Sequence, residues 1–179
     1  CRIYKVMNLN ECEKYEQAII YIENNLKDEL DSKDKKVMEQ KAFSLWGKKD
    51  YDICREFCQS NVSEFPFLNH YLGLCDYSEK KYDTALGFFN EAIKIDKKDF
   101  ENVYRSFYYK GLSLDQLNDK DNAIKAFEDA YTINKKYLEA YWEIARIYQE
   151  RNKFSDAEAI LLKANSFILP EICIPFFID

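Results

Sequence analysis

The stretch "YLGLCDYSEKKYDTALGFFNEAIKID" (residues 71–96) decides the fold of this chain, because small and aromatic residues stand in it at regular steps. Gly73, Ala85, Phe89 and Ala92 are separated by steps of twelve, four and three residues, a pattern we call the cadence. It recurs at positions 111, 123, 127 and 130, and again at 145, 157, 161 and 164. Repetition at a fixed spacing indicates a stack of similar units and not one closed globule.

Two weaker copies of the cadence precede these three. Positions 42, 54, 58 and 61 keep the steps with Ala, Cys, Cys and Asn, and positions 6, 18, 22 and 25 keep them with Val, Ala, Ile and Asn. The five sets begin at positions 6, 42, 73, 111 and 145, which lie 36, 31, 38 and 34 residues apart. A period near 34 residues is typical of helix-turn-helix repeats.

Each repeat is predicted to be a helical hairpin. In residues 72–78 and 83–95 the apolar positions recur every three or four residues without a proline, which predicts two amphipathic helices. The segment between them is polar, as a solvated turn should be. Gly73 and Ala85 would let the two helices approach closely, and Phe89 would fill the space below.

Residues 71–96, 108–134 and 141–164 resemble tetratricopeptide repeats, with a large residue and Gly or Ala in one helix and Ala, an aromatic or Leu, and Ala in the next. The resemblance implies an all-α fold, a right-handed α-solenoid of antiparallel helix pairs with about four to five repeats. We expect a weak repeat plus a charged linker in residues 1–36, an array in residues 37–168, and an apolar C-terminal tail in residues 169–179. Within the array the expected repeats are 37–67, 68–99, 106–138 and 140–168.

The charged segment "LKDELDSKDKK" (residues 26–36) is interpreted as an exposed linker, with a helical extension as the alternative. Over the whole chain 26 basic and 32 acidic residues give a net charge of -6. No basic stripe is concentrated enough to neutralise several phosphates, so nucleic acid is not an expected partner. No apolar run approaches the roughly 20 residues that span a bilayer, so no membrane association is expected.

Cellular location is inferred from the N-terminal sequence and the cysteines. The first residues lack the apolar core of a signal peptide, and the chain begins with Cys1 instead of Met, which suggests that it was cut from a longer protein. Of the six cysteines, Cys54, Cys58 and Cys75 stand near His70, the only histidine. These four could ligate zinc by residue type. However, Cys54 and Cys58 occupy cadence positions, which favours buried core thiols and a reducing, cytoplasmic compartment.

The sequence contains no recognisable catalytic motif. It has one histidine and lacks GxSxG, HExxH and a phosphate-binding glycine loop. Acidic pairs such as Glu139 and Glu143, one turn apart, are typical of a solvated helix face. We therefore expect no enzyme activity, no catalytic residue, no metal and no cofactor.

The resemblance implies that the first helices of successive repeats line a concave groove in which a protein or peptide partner lies. Its predicted contacts mix aromatic, aliphatic and charged residues, as a peptide-binding groove requires. They are Lys41, Leu45, Leu72, Asp76, Phe107, Lys110, Leu114, Tyr141, Ile144 and Tyr148. The alternative is that this stripe is covered and forms part of the core.

The tail "LPEICIPFFID" (residues 169–179) is apolar and contains two prolines, so it cannot continue a regular helix. It could fold back over the last repeat, continue into a further repeat, or meet another copy of the chain as a homo-oligomer. Three functions follow from the repeat prediction. The chain is an adaptor or scaffold that binds an extended or helical segment of a partner, a structural subunit of a larger or homo-oligomeric complex, or a regulatory arm of a larger enzyme.

Overall fold

The structure is a computed structural model that describes residues 2–95 and 103–168. These residues form α-helices and one 3₁₀ turn, Pro66–Leu68, with no strand among them, so the all-α prediction is confirmed. The chain divides into two compact units, Cys1–Glu101 and Asn102–Asp179. The helices are α1 (Arg2–Glu11), α2 (Tyr15–Asn25), α3 (Lys27–Asp31), α4 (Lys35–Gly47), α5 (Tyr51–Asn61), α6 (Asn69–Ser78), α7 (Tyr82–Ala92), α8 (Val103–Gln116), α9 (Lys120–Ile133), α10 (Leu138–Glu150) and α11 (Phe154–Ile168).

Antiparallel helix pairs build both units. In the first unit α1 pairs with α2, α4 with α5, and α6 with α7, and α2 and α5 also pack against the pair that follows them. In the second unit α8 pairs with α9 and α10 with α11, and α9 packs against α10. We call the first member of each pair its A helix and the second its B helix. Every B helix that is followed by another pair in its own unit is therefore enclosed on two sides.

The turns between A and B helices share one backbone conformation. Five non-glycine residues there have positive φ, between 56° and 66°. Each stands seven residues after the first cadence position of its repeat, so even the weakest repeat ends its A helix in the same way. The following N–H donates to a carbonyl five residues earlier, as in Lys81 N–H to Asp76 O at 2.8 Å. The five residues are Glu13, Lys49, Lys80, Asn118 and Asn152.

The cadence marks the contact inside each hairpin. A Cβ atom on Gly73 would lie 2.6 Å from Cε1 of Phe89, and a Cβ atom on Gly111 would lie 2.6 Å from Cε1 of Phe127. Both phenylalanines are fully buried. Glycine is required at these two positions because the ring occupies the space that any side chain would take. The close approach expected from the sequence is confirmed.

The charged segment after α2 combines both interpretations of the sequence. Leu26 is buried at its start, and α3 then forms a helix of five residues in which none is buried. The following turn leads to α4, whose start is capped by Asp34 accepting hydrogen bonds from the N–H groups of Lys36 and Val37. The segment is thus a short helix with charged, accessible side chains. The apolar tail, residues 169–179, lies outside the described residues.

Candidate protein-binding face

The structure places the ten predicted groove residues in two environments. Half of them are buried, and the other half are partly accessible. The buried residues are Leu45, Leu72, Asp76, Tyr141 and Ile144. The half-buried residues are Lys41, Phe107, Lys110, Leu114 and Tyr148. Only the second group reaches the surface in this chain, so the role of the ten residues in partner binding stays a prediction.

The buried members dock each hairpin on the preceding B helix. All ten stand four or one residues before, or three after, the first cadence position, and within each unit the buried members lie on the side of their helix that meets the preceding B helix. Asp76 of α6 pairs with Arg55 of α5 at 3.1 Å. Tyr141 of α10 stacks on Tyr131 of α9 with ring centroids 4.3 Å apart. The stripe therefore contributes to the contact between repeats, which is the covered alternative raised from the sequence.

Lys41 also contacts B helices, although it is charged. Its Nζ lies 3.3 Å from a carboxylate oxygen of Glu23 in α2. The same Nζ lies 5.4 Å from the centroid of the Phe57 ring in α5. Both partners belong to B helices, so the lysine bridges the two neighbouring B helices.

A second stripe runs along the A helices of the second unit, and we call it the A-helix face. Its members stand six and three residues before, and one and four residues after, the first cadence position, which is one side of a helix. The stripes of α8 and α10 are neighbours, because Nη2 of Arg146 lies 2.6 Å from Oδ2 of Asp115. The A-helix face consists of Arg105, Tyr108, Leu112 and Asp115 from α8, and Glu139, Trp142, Arg146 and Gln149 from α10.

Trp142 is the large apolar residue of this face that is most open to solvent, with 57% of its surface exposed. Tyr108 and Leu112 are half-buried and pack against the core of the second unit. Arg105 and Glu139 are exposed at the N-terminal ends of their helices. The stripe predicted from the sequence does not include this face. Trp142 stands one residue after Tyr141 of that stripe, so the same spacing counted one residue forwards leads to it.

One end of the A-helix face is fixed by charge pairs around the buried carboxylate of Asp115. Lys120 Nζ lies 2.6 Å from Oδ1, and Arg146 holds Oδ2. Burial alone would raise the pKa of Asp115, but the hydrogen bonds from Lys120 and Arg146 outweigh it and lower this pKa below its ordinary value. Arg146 also bonds Glu143 at 2.8 Å and Glu150 at 2.5 Å. These charges satisfy one another and hold α8, α9 and α10 together.

The cysteines near His70 are core residues. Cys54, Cys58 and Cys75 are fully buried thiols without disulfides. A hydrogen bond between Cys54 and Cys58 raises the pKa of Cys54, and a hydrogen bond to Cys54 together with burial raises that of Cys75, so both stay protonated. His70 packs against the ring of Phe89, with centroids 6.0 Å apart. Within residues 2–95 and 103–168, no three His, Cys, Asp or Glu side chains are arranged to hold a metal ion.

Among the helices that the structure describes, none combines the length and the apolar character needed to cross a membrane.

Comparison with known proteins identifies the repeat. Residues 116–166 match the tetratricopeptide repeat family model. No curated protein matches the chain. Among solved structures, PilF of Pseudomonas aeruginosa is 17% identical with a TM-score of 0.74, over 92% of this chain and 74% of that chain. A crystal structure of MamA is 18% identical with a TM-score of 0.66, over 89% and 91% of the two chains.

A MamA fragment from Desulfovibrio magneticus RS-1 is similar in the same way. It is 16% identical with a TM-score of 0.61, over 92% of this chain and 94% of that chain. Both MamA and PilF are tetratricopeptide repeat proteins of the solenoid class. At these identities the likeness establishes the fold. Together with the family match it confirms the resemblance seen in the sequence and supports a protein-interaction scaffold in general.

Proposed function

Since residues 116–166 are tetratricopeptide repeat sequence and the chain has the fold of such proteins, we propose that it is an adaptor whose A-helix face binds a partner protein. The bound element is an extended or helical segment of that partner. Repeat proteins of this class are usually not enzymes. We propose that this chain likewise acts by binding alone, without a cofactor.

The exposure of Trp142 is the observation that carries this proposal. Exposing 57% of an indole surface to water is unfavourable in free energy, and packing inside the chain would remove this penalty. Tryptophan is also among the residues that contribute most to binding when a partner encloses them. The half-buried Tyr108 and Leu112 of α8 belong to the same A-helix face, so this face offers a partner further apolar surface besides Trp142. Such a surface fits an apolar anchor residue of a peptide.

The charges around Trp142 define the chemistry of the partner further. Arg105 and Glu139 are exposed, and neither side chain forms an ion pair with another residue in the described part of the chain. By contrast, Arg146 and Asp115 are already paired with each other. We infer that the partner segment carries charges of both signs beside its apolar anchor. Rim charges of this kind affect partner choice and association rate more than affinity.

A second candidate function is a structural subunit of a larger or homo-oligomeric complex. It is favoured by α11, where Phe154 and Leu162 are 65% and 63% exposed. A regulatory arm of a larger enzyme is the third possibility, and the full-length sequence would decide it. The buried, unpaired thiols of Cys54, Cys58 and Cys75 support our proposal of a reducing, cytoplasmic compartment.

The proposal can be tested with a random peptide library displayed on phage and selected on the full chain. We expect enriched peptides with an aromatic or aliphatic anchor, and at least about 30-fold weaker binding by Trp142→Ala, the loss typical of a central aromatic contact. Ile53→Ala is the matched control, because Ile53 is a comparably exposed apolar residue on α5 of the first unit. Its affinity should be unchanged.

The stripe of groove residues predicted from the sequence is the alternative location for the bound peptide. Tyr148→Ala changes a half-buried aromatic residue of that stripe on the same helix as Trp142. If peptides lose affinity for Tyr148→Ala and not for Trp142→Ala, binding occurs on the stripe predicted from the sequence and the A-helix face is the wrong location. If no peptide is enriched, the adaptor proposal itself fails.

A further inference from the structure

Three tyrosines form a cluster at the N-terminal ends of α8 and α10, and we call it the tyrosine cluster. The ring of Tyr137, the residue before α10, lies 4.8 Å from the ring of Tyr104 and 5.2 Å from the ring of Tyr108, measured between centroids. Both contacts are edge-to-face, at interplanar angles of 66° and 86°. All three residues are half-buried, so the cluster presents part of a continuous aromatic surface to solvent.

The cluster and the neighbouring Trp142 offer unused hydrogen-bond donors. Within the described part of the chain, the hydroxyls of Tyr104 and Tyr137 and the indole N–H of Trp142 have no hydrogen-bond partner. The core residue Tyr141, by contrast, donates its hydroxyl proton to the carbonyl of Lys135 at 3.3 Å. Tyrosine and tryptophan usually find an acceptor when they are enclosed. A partner that covers the cluster must therefore supply acceptors.

Two charges flank the cluster, Arg105 on α8 and Glu139 on α10. Burial, and after it the charge of Glu139, raises the pKa of Tyr137 above its ordinary value, while the charge of Arg105 acts in the opposite direction. The Tyr137 hydroxyl therefore stays protonated and is a donor at neutral pH. The guanidinium of Arg105 adds further donors. Trp142 follows Glu139 by three residues, which places it one turn further along the same side of α10.

A surface rich in donors requires a segment rich in acceptors. A polyproline II helix has no internal hydrogen bonds, so its carbonyls are free, and its prolines lack N–H groups. An α-helical segment bonds its carbonyls internally and offers the tyrosine hydroxyls no backbone acceptor. A β-strand needs an exposed strand edge to pair with, and the described residues contain no strand. The donors therefore favour a proline-rich segment, which also packs well on aromatic side chains.

We propose that the segment bound by the A-helix face is proline-rich and lies as a polyproline II helix over the tyrosine cluster, a proposal that rests on the adaptor function proposed above. Its carbonyls accept hydrogen bonds from Tyr104, Tyr137 and Trp142, and its prolines pack on the aromatic rings. An acidic residue of the segment lies near Arg105 and a basic residue near Glu139. Because the bound conformation is preformed in the free segment, binding costs less conformational entropy.

The test starts from the peptides that a random phage library yields on the full chain. We expect proline to be enriched over the unselected library, at positions three residues apart, since every third residue of a polyproline II helix lies on one side. The most enriched peptide is then synthesised with a fluorescent label, and its affinity is measured by fluorescence polarisation. Replacing its prolines with alanine keeps its length and charges. This change should weaken binding at least about tenfold, because the peptide loses its preformed conformation and its ring contacts.

Removing the two hydroxyls tests the location. The double variant Tyr104→Phe with Tyr137→Phe keeps both rings, and circular dichroism checks that it folds. It should bind the labelled peptide about tenfold more weakly, the loss expected for two hydrogen bonds. Tyr4→Phe is the matched control, because Tyr4 is a tyrosine of α1 in the first unit that is 64% exposed. Its affinity should be unchanged.

Two results would overturn the proline-rich segment while leaving partner binding intact. The first is a set of enriched peptides that lose affinity for Trp142→Ala and contain no more proline than the unselected library. The second is a proline-rich peptide that binds the double variant as tightly as the unmodified chain, which would place recognition on another surface. If no peptide is enriched, the adaptor function fails, and the proline-rich segment fails with it.

Discussion

The two B helices of the second unit, α9 and α11, have the same cadence and different surroundings. On α9 the cadence residue Phe127 is fully buried, because α8 covers one side and α10 the other. On α11 the corresponding Leu161 is 37% exposed. This helix packs against α10, and only its Lys163 is recorded reaching α9, where Nζ donates to the Tyr131 hydroxyl at 3.0 Å. The cadence therefore determines how a B helix meets its own A helix. The next element of the chain determines whether the rest of that B helix becomes core or surface.

The two hairpins also differ where their A helices end. Asp115 and Lys120 form an ion pair at 2.6 Å at the turn between α8 and α9. At the same positions in the last described hairpin stand Gln149 and Phe154, which are both exposed. The last repeat has thus exchanged a charge pair for apolar surface.

The largest expected effect comes from truncating the buried cadence residue. Phe127→Ala removes a ring enclosed by α8 and α10 and should lower the free energy of unfolding by about 3–5 kcal/mol. Leu161→Ala should cost about 1 kcal/mol, since its side chain already contacts water in part. Chemical denaturation of both variants measures the difference. Equal losses would show that α9 and α11 are packed alike and would contradict the comparison.

A methyl group at Gly111 tests the contact inside the hairpin. Gly111→Ala places a Cβ atom 2.6 Å from the Phe127 ring and should cost about 1–3 kcal/mol by overpacking. The last hairpin accepts Ala145 at this position, where its partner is the smaller Leu161. Combining Gly111→Ala with Phe127→Leu recreates that pair. The double variant should be more stable than the sum of the single losses predicts, and strict additivity in a double-mutant cycle would disprove the contact.

The charge pair at Asp115 should give the second unit a pH dependence. Asp115→Asn should lower the free energy of unfolding at pH 7 by about 1–2 kcal/mol, because bonds to charged groups weaken. The pKa of Asp115 is lower in the folded chain, so its stabilisation is present above the unfolded pKa, near pH 4, and is lost as the pH falls through the folded pKa. The difference in the free energy of unfolding between the unmodified chain and Asp115→Asn should therefore disappear at acidic pH. A gap that stays constant from pH 7 to pH 2 would argue against the charge pair.

The smallest effect is expected at the turns, where the two hairpins are alike. Asn118 and Asn152 have φ values of 63° and 57°, which asparagine tolerates well. Replacing either with glycine should change the free energy of unfolding by less than about 0.5 kcal/mol, with the same sign at both sites. Thermal unfolding of the two variants provides the measurement. A large effect at one turn alone would mean that the hairpins differ in their backbone as well as their surroundings.

The repeats were predictable because each depends on short spacings within the sequence. The steps between Gly73, Phe89 and their counterparts identified the hairpin contact, and the five first positions gave the spacing of the turns. The accessible side of the A helices was harder to predict. Leu72 and Ile144 looked like groove residues because they are apolar and lie on A helices, yet they are buried.

Which side of an A helix is free depends on where the preceding B helix packs, and a period alone does not determine that direction. Lys41 shows the difficulty most clearly, because a lysine is expected at a surface. In the structure it bridges Glu23 and Phe57 on two B helices. Trp142 was overlooked for the opposite reason, since a tryptophan is expected in a core and here lies open.

The central claim is that a partner segment binds over Trp142, and the fluorescence of that indole tests it most directly. The chain has two tryptophans, so Trp46→Phe leaves Trp142 as the single reporter. Titrating a peptide selected from the phage library into this variant should move the emission of Trp142 to shorter wavelength as the indole leaves water. The shift should saturate at the dissociation constant measured independently by fluorescence polarisation of the labelled peptide. Saturable binding by polarisation with no change in Trp142 emission would contradict the claim.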